Sequence, residues 1–117
     1  QNPCWIFERA ELDRVVAVEA RVGQVPFNFQ IGAAREAIRF PVPRTRAGEL
    51  LLYRGRSCEG EPVLRLPLAP AVTATGVTTL PRAAWPPQQG SSDLCLRFAQ
   101  KALEPLWLLD SVWLVER

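Results

Sequence analysis

Apolar and polar residues alternate with a period of two along much of this chain. Over residues 11–23, ELDRVVAVEARVG, the residues Val16, Val18, Ala20 and Val22 share one face and Glu19 and Arg21 take the other, the pattern of a strand half exposed to water. VPFNFQIG (25–32) and DLCLRFAQ (93–100) alternate in the same way, and EAIRFPVP (36–43), GELLLYRG (48–55), EPVLRLPL (61–68) and GVTTLP (76–81) also read as strands from their bounding turn residues or β-branched content. Glycines and prolines close each run, and the polar RSCEGEP segment between 55 and 63 predicts a hairpin. Only AQKALEP (99–105) reads as a helical turn, and WPPQQGSS (85–92) reads as a loop. Roughly eight or nine short strands with turns at such close spacing predict an all-β, antiparallel, jelly-roll-like β-sandwich occupying residues 1–117 as a single domain. An up-and-down barrel is the alternative.

The last apolar run, PLWLLDSVWLVE (105–116), is too short to cross a bilayer, which takes about twenty residues. As a strand, it puts Leu109, Ser111, Trp113 and Val115 on one face and Leu108, Asp110, Val112 and Leu114 on the other. With apolar residues on both sides, one set is expected to look outward. Leu109, Trp113 and Val115 are therefore the candidates for docking on a neighbouring domain.

Composition narrows the chemistry. The chain has no histidine, so no Ser-His-Asp or Cys-His arrangement can be assembled, and its carboxylates are scattered singly instead of paired. Its glycines are isolated at strand ends and form no phosphate-binding loop. A net charge of +2 gives no reason to expect a polyanion, and Glu36, Glu49, Pro41 and Pro43 break up the arginines Arg35, Arg39, Arg44, Arg46, Arg54 and Arg56. An enzyme, a nucleic-acid partner and a membrane partner are thus not expected of this chain. Cys4, Cys58 and Cys95 lack zinc spacing; if one disulfide forms, Cys4 with Cys58 is the favoured pair, since both lie at turn-like edges and Cys95 lies in a strand pattern. Four tryptophans and one tyrosine offer flat apolar surfaces on which a sugar ring can stack. Trp85, in a polar loop before two prolines, and Tyr53 are the candidate sugar-contacting residues.

SSDLCLRFAQ followed by PLWLLDSVWLV resembles the last two strands of type-six carbohydrate-binding modules, through Asp93, Leu94, Leu96, Phe98, Leu109 and Asp110. Ser92 stands where that pattern has histidine, and Ser111 where it has tryptophan. More extensively, NPCWIF, VGQVPFNFQIG, the GEL strand with its Cys-x-Gly turn, and DLCLRFAQKALEPLWLLDSVWL are similar to the C-terminal domain of bacterial β-N-acetylhexosaminidases of glycoside hydrolase family 20. That resemblance implies a non-catalytic piece of a larger, periplasmic or secreted glycosidase. Its partners would be the catalytic barrel of the parent chain and a glycan containing N-acetylglucosamine. No cofactor is implied, but the type-six pattern implies a structural calcium, for which Glu8 or Glu11 with Asp110 are the matching carboxylates.

Overall fold

The computed structural model describes residues 4–25, 41–73, 76–100 and 106–117. Among these residues, eight strands form two antiparallel sheets packed as a sandwich, in agreement with the expected fold class. In chain order they are β1 (Trp5–Glu11), β2 (Val15–Val25), β3 (Glu49–Arg54), β4 (Leu64–Pro67), β5 (Val77–Thr79), β6 (Ala83–Ala84), β7 (Ser91–Ala99) and β8 (Leu106–Glu116). The first sheet runs β1-β7-β3-β4, and the second is built on β2. There β8 follows one edge of β2 from end to end, while β5 and then β6 pair with the other.

The predicted strands at 48–55, 61–68, 76–81, 93–100 and 105–116 are present, and β3 and β4 form the predicted hairpin. The predicted strand 11–23 is divided. Glu11 closes β1, the chain turns at Leu12–Arg14, and β2 starts at Val15, whose N–H donates to the Leu12 carbonyl at 3.3 Å. The segment 25–32, most of 36–43 and the helical turn expected at 99–105 fall largely or wholly outside the described residues.

Alternation explains the interior. Leu50 and Leu52 of β3, Leu66 of β4 and Leu94, Leu96 and Phe98 of β7 point from the first sheet at Val15, Val18, Ala20 and Val22 of β2 and Trp107 of β8. Trp5 meets Phe98 edge to face, with ring centroids 5.5 Å apart, a favoured aromatic geometry. Leu51, Tyr53, Cys95 and Ala99, the other residues of the same strands, form a second buried cluster with Cys58 on the outer face of the first sheet. That sheet therefore reads as apolar on both sides.

Bulges interrupt the alternation at three places. In β2, Val15 pairs with Glu116 and Ala17 with Val115, so Val16 is the extra residue and is exposed. In β8, Ser111 pairs with Arg21 and Leu109 with Val22, which leaves Asp110 without a partner across the ladder. In β1, Glu8 and Arg9 together oppose Asp93, and Arg9 adopts a left-handed φ of 53°.

Candidate functional site

The bulge at Asp110 decides which residues the molecule presents. Past it the parity of β8 changes, so Leu109 packs on the core with Val112 and Leu114, while Leu108, Trp113 and Val115 belong to the outer face. The expected docking set is thereby corrected. Trp113 and Val115 look outward and Leu109 looks inward, because one uncounted residue separates them. Leu108 takes its place outside.

Exposed apolar side chains gather on this outer face among the described residues. Trp113 is 46% exposed, Leu108 45% and Val77 45%. Glu19, Arg21, Thr79, Trp113, Leu114 and Val115 line a shallow depression of about 530 Å³. Strand register places Glu19, Arg21, Thr79, Trp113 and Val115 on this face: Glu19 lies directly across from Trp113, and Arg21 lies between Ser111 on β8 and Thr79 on β5. Arg82 donates from Nε and Nη2 to Glu19 Oε1 at 3.3 and 3.2 Å, which neutralises the carboxylate. Arg21 has no side-chain hydrogen-bond or ion-pair partner among the described residues, and its Nε is buried.

The aromatic residues chosen from sequence are not on the surface. Trp85 is 4% exposed and belongs to the main core; its backbone N–H donates to the Val16 carbonyl at 2.9 Å, drawing the loop inward at the β2 bulge. Tyr53 is also 4% exposed, in the outer cluster of the first sheet, with the Arg97 guanidinium 5.5 Å from its ring centroid. Neither presents a face to a sugar. Trp113, the indole that is available, was read from sequence as an interface residue.

The carboxylates matched to calcium belong to different sheets. Glu8 and Glu11 are on β1 in the first sheet and Asp110 is on β8 in the second. Glu8 lies 3.7 Å from Arg56, and Asp110 accepts a hydrogen bond from the Ser111 hydroxyl at 3.2 Å. Among the described residues, no group of three or more Asp, Glu, Cys or His side chains is positioned to hold a metal ion. Asp110 tolerates its apolar neighbours because the bulge turns it to solvent.

The expected Cys4–Cys58 pair is also corrected. Cys58 bonds Cys95, with Cα atoms 5.2 Å apart, and Cys4 is a free, exposed thiol. Cys95 faces Tyr53 across the β3–β7 ladder, and the turn after β3 brings Cys58 back over that outer face at a left-handed φ of 45°. A strand interior suits a disulfide when its side chain points at a returning loop.

Two carboxylates that sequence reading passed over hold the scaffold. Asp93 accepts the Arg9 N–H at 2.9 Å and the Arg56 guanidinium at 2.9 Å, which fixes the β1 bulge. The Arg9 amide and then Arg56 hold its carboxyl below the ordinary value. Glu49 is buried, and its carboxylate accepts the N–H groups of Arg44 and Thr45 at 2.9 and 2.8 Å, the Thr45 hydroxyl and Arg65 Nη1 at 3.1 Å. Burial pushes its pKa up, but those donors together outweigh burial and leave it below the usual 4.5. No family model, curated protein or solved structure matches the chain.

Proposed function

We propose that this chain is a non-catalytic ancillary domain of a β-N-acetylhexosaminidase-like glycosidase that holds carbohydrate weakly on the outer face of its β2–β8 sheet, with Trp113 as the platform. The observation that carries this reading is the half-exposed Trp113 indole beside the hydrogen-bonding groups of Arg21, Glu19 and Thr79. An aromatic face for the apolar side of a pyranose and polar groups for its hydroxyls are the two elements of sugar recognition. The sequence resemblance supplies the parent enzyme and the sugar class, and the disulfide fits a periplasmic or secreted setting.

A second reading is favoured by the aliphatic part of the same face. Leu108 and Val77 extend the exposed surface beyond what one sugar ring covers, as a surface that docks on a catalytic barrel would. One titration separates the two. With chitotetraose at millimolar concentration, the Trp113 indole N–H resonance shifts in a saturable way and Trp113→Ala removes binding while the fold persists. A Trp113 signal that stays still to about 10 mM sugar, a Kd range weaker than about 3 kcal/mol, sinks the carbohydrate reading and leaves docking.

A further inference from the structure

Arg21 is the one charge of the depression left uncompensated. Glu19 is neutralised by Arg82, whereas Arg21 makes no side-chain hydrogen bond or ion pair with any described residue. With no hydrogen-bond or ion-pair acceptor among the described residues, the Arg21 guanidinium is a charged donor group left to meet an acceptor from outside. Strand register then fixes where that acceptor would lie. Arg21 and Glu19 are two residues apart on β2 and share a face, and Glu19 is opposite Trp113, so Arg21 and Trp113 are diagonal neighbours. Diagonal cross-strand neighbours are about 7–8 Å apart, a spacing that a single sugar ring and its exocyclic group span.

From this placement, and resting on the carbohydrate reading above, we infer that the depression recognises an acidic sugar: a uronic acid residue whose ring stacks on Trp113 and whose carboxylate takes the fork of Arg21. A guanidinium matches a carboxylate with two parallel N–H···O bonds, and no other group in the depression offers that geometry. Thr79, on the far side of Arg21, contributes a hydroxyl from β5. The depression is shallow and open along the sheet, which suits an internal unit of a chain more than an enclosed monosaccharide.

The test compares a hyaluronan tetrasaccharide, which alternates N-acetylglucosamine with glucuronic acid, with neutral chitotetraose. Both are titrated into the wild-type domain and into Arg21→Gln, Arg21→Lys and Trp113→Ala, with the native fold of each checked by its β-sheet circular dichroism. Expected is roughly tenfold tighter binding of the acidic tetrasaccharide, the scale of one charge-assisted hydrogen-bonded pair. Arg21→Gln erases that preference by weakening the acidic tetrasaccharide far more than chitotetraose, Arg21→Lys restores only part of it, and added salt weakens it. Equal affinity for the two sugars, or a preference that survives Arg21→Gln, overturns the inference while leaving Trp113 as a sugar platform. If neither sugar moves Trp113, the carbohydrate reading fails together with it. A glutamate-rich peptide that binds with the Arg21 dependence while both sugars stay silent overturns it in favour of a protein partner.

Discussion

Glu49 sits at the start of β3, ahead of four buried apolar or aromatic residues, yet it is itself among the most deeply buried of the described side chains. It is tolerated there because its two oxygens satisfy the backbone N–H groups of Arg44 and Thr45 and meet Arg65, so the segment leading into β3 is tied down by one carboxylate. Removing it strands those donors. Glu49→Ala is expected to lower the unfolding free energy in urea by about 3 kcal/mol. A change below about 0.5 kcal/mol would mean that the loop finds other acceptors. The pH dependence has a definite sign. Because the folded-state pKa of Glu49 is depressed, as is that of Asp93, their stabilisation is complete above the unfolded-state values near 4 and is lost as pH falls through the folded ones. Acid denaturation of the wild type should therefore steepen below about pH 4, and Glu49→Ala should flatten it. Neither anchor was legible in the sequence, since a lone Glu before LLLY shows nothing of the backbone amides that the preceding loop turns toward it.

At the scale of elements, the bulges account for what was legible and what was not. Alternation located β7, and bounding turn residues, β-branched content or unbroken apolar runs located β3, β4, β5 and β8. It misassigned the faces of β8 because counting by two assumes that every residue has a partner across the ladder, and Asp110 has none. The loop at 85–92 was found, but the direction of its tryptophan was not: the backbone bond from Trp85 to the Val16 bulge pulls the indole into the core, and a bulge leaves no mark in composition. The same geometry predicts unequal effects of two neighbouring deletions. Deleting Asp110 leaves Trp107, Leu109, Val112 and Leu114 all inward on a regular strand and should cost less than about 1 kcal/mol. Deleting Leu109 carries Asp110 to an inward position and removes a core side chain, with an expected loss of about 3 kcal/mol or more. Thermal melts of the two variants decide it, and equal losses would refute the assignment of the bulge.

On the scale of the whole molecule, the two sheets are held by the shared core, and the disulfide fastens the loop after β3 to the central strand β7. The cross-link joins positions 37 residues apart, and closing a loop of that size in the unfolded chain is worth about 3–4 kcal/mol. Replacing Cys58 and Cys95 together with alanine should lower stability by that amount in urea, whereas Cys4→Ser should leave the midpoint unchanged. A loss on Cys4→Ser that matches the double variant would contradict the pairing. The sequence favours Cys4 with Cys58, but which two cysteines meet depends on the register of β3 against β7, a long-range property of the sheet.

Cys95 is completely enclosed and Cys58 nearly so, which gives the bridge a meaning beyond its contribution to stability. A reductant must meet a sulfur atom before it can exchange with it, and here it meets one only when the turn over the outer face lifts or the strands part. The lifetime of the bond in a reducing solution is thus governed by how often this part of the sheet breathes.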